Sequence, residues 1–195
     1  MDAITLLKQD HRTVEKLFKQ FEKAGENAHK TKRKIVDQVI EELAKHAAIE
    51  EQVFYPAVRE EVKDIEDNVL EALEEHHVVK WTLSELEGMS PEHERFTAKM
   101  TVLMESVRHH VEEEEGEMFP EVRKALGRKK LGTIGDRMES LKGIAPTRPH
   151  PKAPDEPPAN LIANTGAGAV DQVRSSAKKA RKNAGKSAKK ALSRS

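Results

Sequence analysis

The stretch HAAIEEQVFYP, at residues 46–56, decides the fold of this chain. Helical spacing places His46 and Glu50 one turn apart, on the same face of a helix. Three apolar residues share that face, so it is predicted to point into a core: Val39, Leu43 and Val53. A buried imidazole and a buried carboxylate need partners there, because an unpaired polar group is costly to bury.

The same pattern returns in HVEEEEGEMFP, at residues 110–120. Four residues of the first stretch recur there at the same offsets, as His110, Glu114, Glu115 and Pro120. A second repeat relates Asp10-His11 to Glu75-His76, which precede His46 and His110 by similar distances. The chain is therefore predicted to contain two copies of one helix pair, related by a pseudo-two-fold axis.

Residues 1–142 are predicted to be helical almost throughout, because apolar residues recur at steps of three and four. Pro56 and Pro120 fall inside long predicted helices and should kink them or loosen their hydrogen-bond ladders. Ser90-Pro91 resembles an N-cap followed by a first-turn proline. We predict an all-α fold, an up-down-up-down four-helix bundle with a short fifth helix. The predicted helices span about 2–24, 31–62, 67–86, 91–126 and 128–141.

The composition changes after the bundle. Residues 143–170 are rich in Pro and Gly and are predicted to be an extended linker. Residues 171–195 form a basic tail, disordered or partly helical, with nine Lys or Arg and one acid, so the rest of this electrically neutral chain is acidic. Its Lys/Ala-rich composition weakly resembles the tails of histone-like proteins. Residues 174–195 are predicted to contact DNA or another anionic surface without sequence specificity, to contact the acidic bundle, or only to aid solubility.

Cellular compartment is suggested by what the sequence lacks. There are no cysteines, which excludes disulfides and thiolate metal sites. No apolar run has the roughly 18 residues of a membrane span. The start, MDAITLLKQDH, has no basic region followed by an apolar stretch, so no secretory signal is predicted. We therefore expect a cytoplasmic protein.

Each of the four apolar stripes is interrupted by polar residues that are candidate metal ligands. A lone histidine on an apolar face is more often a hydrogen-bonded core residue than a ligand. Six polar groups at matching depth in four helices favour a metal centre, because a metal would satisfy them together. The repeat and the stripes select His76 and His110 over their neighbours His77 and His109, which are predicted to lie exposed or beside the ligands. The predicted ligands are His11, His46, Glu50, His76, His110 and Glu114.

The donor types limit the metal. Imidazole and carboxylate without thiolate suit iron, manganese or zinc. Six ligands with two-fold symmetry are too many for one tetrahedral zinc and suit two ions, each with two histidines, bridged by two carboxylates. A ferritin-like centre is disfavoured, because it needs Glu-x-x-His on each of two helices and, within the predicted helices, only Glu74-His77 has that spacing.

Four segments together resemble the haemerythrin-like, HHE cation-binding family: DHRTVEKLFKQFE, HAAIEEQVFYPAV, EEHHVVK and HHVEEEEGEMFPEV. The resemblance covers about residues 1–142. It implies a four-helix bundle that holds two non-haem iron ions, oxo- and carboxylate-bridged, and reacts with dioxygen. Carried over position by position, it implies the same six ligands, with Glu50 and Glu114 bridging. Manganese or zinc is the less favoured alternative.

The chain departs from the oxygen-carrying members of that family. They have His-x3-His on the third helix, whereas the residue four after His76 is Lys80, and they end with His-x4-Asp where this chain has His-x3-Glu. One histidine fewer leaves an open position, which favours peroxide or redox turnover over reversible carriage. Tyr55 is predicted to lie beside the site, where it either contacts a metal or packs at a helix kink, with Phe119 as its counterpart.

These observations predict a di-iron protein that binds or senses dioxygen, or handles peroxide or nitric oxide. Two other functions remain open. The bundle is alternatively an iron-binding or iron-sensing module with little turnover. The third possibility is a protein that is tethered to the nucleoid and whose metal is structural.

Overall fold

The computed structural model describes residues 1–154, 160, 166–171, 173, 174 and 176. The predicted basic tail lies mostly outside these residues. The described residues form helices and no strand, which confirms the all-α prediction. The α-helices are α1 (Ala3–Lys23), α2 (His29–Ile49), α3 (Tyr55–Glu61), α4 (Glu66–Gly88), α5 (Phe96–Glu113) and α6 (Phe119–Lys142).

The helices form the predicted up-down-up-down bundle, in which α2 continues into α3 and α5 continues into α6. Gly127 interrupts α6 with a φ of 67°, in the left-handed region that suits glycine. The part of α6 after Gly127 is the predicted fifth helix. It packs against the start of α1, where Gly135 lies so close to the backbone of Met1 and Ala3 that no side chain would fit.

Two π-helical turns, Glu50–Phe54 and Glu114–Met118, join α2 to α3 and α5 to α6. The N–H of Tyr55 donates to the carbonyl of Glu50, five residues back, and Phe119 does the same to Glu114. The next residue in each case is a proline, which has no N–H to continue an α-helical ladder. The prolines thus loosen the ladder, as predicted, at the two candidate bridging glutamates.

The core is divided into two apolar clusters with a polar layer between them. One cluster includes Leu7, Phe54, Ile65, Val69 and Phe119. The other includes Val14, Phe18, Val39, Leu83 and Met100. Along α1, for example, His11 falls between Leu7 of the first cluster and Val14 of the second. The polar layer of the bundle therefore lies between two apolar clusters.

The start of α5 differs from the prediction. Ser90-Pro91 does not begin the helix, which starts five residues later at Phe96. The Ser90 hydroxyl accepts a hydrogen bond from the N–H of Glu92, and the His93 ring accepts one from the N–H of Arg95. These local bonds hold a series of turns and so delay the helix.

The described part of the predicted linker contacts the bundle. Arg148 pairs with Glu87 of α4, and the side-chain amide of Asn160 donates to the carbonyl of Glu51. The N–H of Thr147 donates to Asp171 at 3.1 Å, and residues 166–171 are helical. The proposed boundaries at 142 and 170 stay predictions. Among the described residues, no helix is long and apolar enough to cross a membrane.

Candidate metal centre

The polar layer brings together all six predicted ligands. The four histidines are between 4% and 7% exposed, Glu50 is fully buried and Glu114 is 1% exposed. Their donor atoms form two groups, each within 4.8 Å, that share Glu50. One group contains His11, His46, Glu50 and Glu114, and the other contains Glu50, His76 and His110.

Each glutamate lies between two histidines from different helices. Oε2 of Glu50 is 3.0 Å from Nε2 of His46 and 3.4 Å from Nε2 of His76. Oε2 of Glu114 is 3.4 Å from Nε2 of His11 and 3.6 Å from Nε2 of His110. The two halves thus repeat one arrangement. In each, the carboxylate of a π turn lies between a histidine of the helix that precedes the turn and a histidine of another helix.

The arrangement fits metal ions. Both carboxylate oxygens of Glu50, Oε2 of Glu114 and Nε2 of His11 are buried without a hydrogen-bond partner. Such atoms are costly to bury unless something else binds them. Nitrogen and oxygen donors that converge without any thiolate suit iron, manganese or zinc.

The outward-facing nitrogen of each histidine lies near a carboxylate of another helix or turn. Nδ1 of His11 is 2.9 Å from Glu115, that of His76 is 3.0 Å from Glu51, and that of His110 is 2.7 Å from Glu75.

The fourth pair is looser, with Nδ1 of His46 3.7 Å from Asp10. Such carboxylates fix the orientation of a metal-binding imidazole. In the sequence, Asp10, Glu75, Glu51 and Glu115 stand out only as markers of the repeat, and this role was not predicted. Their repetition beside the predicted ligands was the signal.

Lysines neutralise three of these outer carboxylates. Nζ of Lys80 lies 3.0 and 3.2 Å from the two oxygens of Glu51, and Nζ of Lys8 lies 3.0 Å from Glu115. Lys142 pairs with Asp10. Lys80, which occupies the position of the missing histidine, therefore supports a carboxylate that orients His76.

The buried histidines and carboxylates shift one another's pKa values. Burial alone lowers the pKa of His46, but attraction to Glu50 and the nearby carboxylate of Asp10 raise it to about 10. Burial likewise opposes charge on His76, whose contacts with Glu50 and Glu51 raise its pKa to about 9. Burial raises the pKa of Glu50, but the neighbouring His46 and His76 hold it well below the usual value. The surrounding carboxylates therefore favour the protonated forms of His46 and His76 when no metal is bound.

The residues predicted to lie beside the ligands are placed differently from one another. The hydroxyl of Tyr55 donates to Oε1 of Glu114 at 3.0 Å and lies 3.4 Å from Nε2 of His76. Burial, followed by the charges of Glu114 and Glu50, raises the pKa of Tyr55 well above its usual value. His109 is exposed but lies near Glu75, which contacts His110. His77 is exposed on α4.

A cavity of about 860 Å³ lies between α1 and α5 and reaches all four histidines. Its walls include the apolar side chains of Val14, Phe18, Leu43, Val79 and Val107. At its surface, Arg108 of α5 pairs with Glu15 and Glu22 of α1, at 3.0 and 2.9 Å. The buried groups are therefore connected to the surface through an apolar passage bridged by ion pairs.

Comparison with known proteins gives a consistent result. The sequence profile of the Hemerythrin HHE cation binding domain matches residues 2–122. An uncharacterized hemerythrin-like protein from Schizosaccharomyces pombe is 29% identical over 167 residues, which cover 85% of this chain and 81% of that protein. A DNA nickase from Nostoc sp. is 28% identical over 126 residues, which cover 65% of this chain but only 35% of that protein.

A solved structure shares the fold. The crystal structure of a Hemerythrin HHE cation binding domain-containing protein from Mycobacterium kansasii matches with a TM-score of 0.62 and 24% sequence identity. The match covers 73% of this chain and 88% of that one. The sequence match, the helical bundle and the clusters of His and Glu agree with one another. This chain therefore belongs to the haemerythrin HHE cation-binding family, whose domain binds metal cations, typically iron, in a helical bundle.

Proposed function

We propose that this protein holds two non-haem iron ions and uses them to bind or sense dioxygen, or to react with peroxide or nitric oxide. The observation that carries the proposal is the position of Glu50 and Glu114, each between the Nε2 atoms of two histidines. That arrangement suits two carboxylates that bridge a pair of ions. His11 and His46 would hold one ion, and His76 and His110 the other.

Bound iron would supply the change of oxidation state and a position for a small ligand. The protein's own residues supply the surroundings. The apolar clusters on either side surround the layer with hydrocarbon, and the cavity between α1 and α5 leaves a path for a small ligand. The phenol of Tyr55, kept protonated by its raised pKa, presents a hydrogen-bond donor beside Glu114. Lys80 takes the place of one histidine, which leaves room for a ligand other than protein.

Anaerobic loading with ferrous iron tests the centre. Iron is added to the parent chain and to the variants His46→Ala and Glu114→Ala, and unbound metal is removed. The bound iron per chain is then measured, and an absorption spectrum is recorded after air is admitted. His77→Ala is the matched control, because His77 is an exposed histidine on the same bundle. We expect two irons and an oxo-bridge band in the parent and control, and neither in the other variants. At most one metal per chain, or full binding by His46→Ala, would refute the assignment.

Reaction rates then separate the candidate activities. The loaded protein is mixed separately with dioxygen, peroxide and nitric oxide, and the consumption of each is followed. Catalytic consumption of peroxide or nitric oxide supports a redox function, and reversible oxygenation supports binding or sensing. An iron-binding module with little turnover is the alternative, and rapid consumption of peroxide or nitric oxide would count against it.

A second candidate function concerns the basic end of the chain. Residues 171–195 carry nine Lys or Arg and one acid, a composition that suits sequence-independent contact with phosphates. A relative that matches part of this chain is named a DNA nickase. A chain shortened to residues 1–176 keeps the described contacts of Arg148, Asn160 and Asp171 with their partners. If it retains DNA at low salt as well as the full chain, the tail does not bind DNA.

A further inference from the structure

A third group of possible metal ligands lies at the surface, where α4 meets α5. Donor atoms of Glu75, His109 and Glu113 lie within 4.8 Å of one another. Nε2 of His109 is 3.3 Å from Glu113 and 4.0 Å from Oε1 of Glu75. Their side chains are 23%, 63% and 39% exposed, in the order Glu75, His109, Glu113, so solvent reaches the group.

Two members of this group, Glu75 and Glu113, also line a small acidic pocket. The pocket has a volume of about 40 Å³ and reaches His110 and Glu114. Glu114, whose Oε2 is buried without a hydrogen-bond partner, lines this pocket beside His110. The remaining lining is acidic or uncharged, without a lysine or arginine: Asn68, Glu71, Ala72, Glu75, Glu113, Glu117 and Met118.

Glu75 links the surface group to the buried layer directly. Its Oε2 is 2.7 Å from Nδ1 of the buried His110, and its Oε1 faces the exposed His109. A cation that binds at His109 is therefore one carboxylate away from a predicted ligand of the buried centre. The acidic lining would attract a cation toward this point and repel anions.

Among the residues that the structure describes, the equivalent place in the other half of the bundle has a different composition. By the repeat that aligns His46 with His110, Lys45 takes the position of His109 and Ile49 that of Glu113. Asp10, the counterpart of Glu75, is paired with Lys142 of α6. At the equivalent place there is thus a basic residue and an apolar residue, and the carboxylate is already paired with a lysine. Both halves of the bundle carry equivalent predicted ligands on equivalent helices. The fold therefore does not require the acidic residues that only one half has.

We propose that Glu75, His109 and Glu113 form an acquisition site for a divalent cation, and that the acidic pocket passes the cation inward to His110 and Glu114. The surface site stands on its own residues, whereas the inward transfer rests on the proposed function of the buried centre. Ferrous iron is the cation that the proposed function requires, and manganese serves as a probe because both accept imidazole and carboxylate ligands.

The surface site is tested by manganese binding to the full chain. The chain is first given two equivalents of zinc, which binds such donors more tightly than manganese does, and Mn²⁺ is then added in small amounts. Paramagnetic broadening of the histidine ring protons is followed by NMR. We expect saturable broadening of His109 well before the exposed His77 broadens. Equal broadening of His77 and His109 would overturn the site.

The inward transfer is tested by the rate of iron loading. Ferrous iron is mixed anaerobically with the chain, and iron that resists a fast chelator is counted over time. His109→Gln combined with Glu113→Gln should slow loading about tenfold at low salt, as expected for loss of electrostatic attraction, without changing the final iron content. The matched control is His77→Gln with Glu105→Gln, an exposed histidine and an exposed glutamate outside the pocket.

The outcomes separate the two ideas. Loading of the first double variant at the parent rate would overturn the transfer while leaving the di-iron centre intact. Equal slowing of the control would also overturn it, because the effect would then come from overall charge. A parent chain with no chelator-resistant iron would overturn the transfer and the buried centre together, and the manganese experiment would still decide the surface site.

Discussion

The hydroxyl of Tyr55 donates a hydrogen bond to Oε1 of Glu114, 3.0 Å away in the opposite half of the bundle. The counterpart of Tyr55 in the repeat, Phe119, has no hydroxyl and instead stacks on the ring of His11, with centroids 5.9 Å apart. One half of the centre therefore has a phenol where the other has a hydrocarbon ring. The pseudo-two-fold axis relates the predicted ligands and their outer carboxylates, but not the aromatic residues at positions 55 and 119.

Tyr55→Phe should destabilise the metal-free protein. The variant removes the donor to a buried carboxylate oxygen, and an unsatisfied buried acceptor costs about 1–3 kcal/mol. Urea unfolding in the presence of a chelator measures the change. Phe54→Leu is a control for aromatic packing alone, since Phe54 is buried beside Tyr55 and has no hydroxyl. An unfolding free energy of Tyr55→Phe equal to that of the parent would contradict the role of this bond.

Lys80→Met should destabilise the protein more strongly. Lys80 and Glu51 are 8% and 3% exposed, and removal of one partner from a buried ion pair costs about 3–5 kcal/mol. Adding Glu51→Gln to Lys80→Met should recover part of the loss, because the glutamine removes the charge that has lost its lysine but is a weaker partner for His76. Lys8→Met is the matched control, with an expected cost of at most about 1 kcal/mol, since its partner Glu115 is partly exposed. Similar losses for the two lysine variants would contradict the argument.

The metal-free protein should lose stability as the pH rises from about 6.5 to about 10. The pKa of His46 is raised to about 10 and that of His76 to about 9, against roughly 6.5 in the unfolded chain. A raised pKa contributes stability that is complete below the unfolded value and is lost as the pH passes the folded value. We expect a decrease of roughly a few kcal/mol, measured by denaturant unfolding with a chelator.

His46→Gln isolates this effect from other groups that titrate near pH 10. The variant should show a flatter pH dependence than the parent, whereas His77→Gln should follow the parent. Iron affinity should change in the opposite direction and increase with pH, because a metal binds the neutral imidazole. A parent stability that rises between pH 7 and pH 10 would contradict the assigned charges.

Arg108→Ala should speed the entry of small ligands into the iron-loaded protein. The guanidinium bridges α1 and α5 through Glu15 and Glu22, at the surface of the cavity that reaches the four histidines. Without the bridge, the association rate of nitric oxide, followed by stopped-flow absorbance, should increase several-fold with no change in iron content. Arg123→Ala, which removes an exposed arginine paired with Asp2 instead, should leave the rate unchanged. An unchanged rate in Arg108→Ala would place the entrance elsewhere.

The sequence was sufficient to predict the bundle and the convergence of the six predicted ligands. Both predictions depend on which face of its own helix each residue occupies. His11, for example, interrupts an apolar stripe whose period can be counted directly. The partners of the histidines could not be predicted in the same way. Glu51 follows Glu50 and therefore lies about 100° farther round the helix, but only the packing of α4 brings His76 and Lys80 within its reach.

Helix starts were less predictable than helix faces. Ser90-Pro91 has the residues of a helix start, yet the hydrogen bonds of Ser90 and His93 favour turns there instead. Local side-chain bonds and a helical ladder compete for the same backbone groups, and sequence alone does not weigh them. The contact of Arg148 with Glu87 could likewise not be predicted, because it depends on how the segment after α6 packs against α4.

The π turns make this protein sensitive to chain length as well as to residue identity. Loss of the codon for Gln52, Val53 or Phe54 would make Tyr55 the fourth residue after Glu50, so its N–H would complete an ordinary α-helical ladder and the π turn at Glu50 would be lost. Every histidine and glutamate of the site would still be present in such a sequence. Homologous sequences should therefore be compared with attention to gaps at residues 50–54 and 114–118, because a single gap there separates a chain that keeps the residues from one that keeps their arrangement.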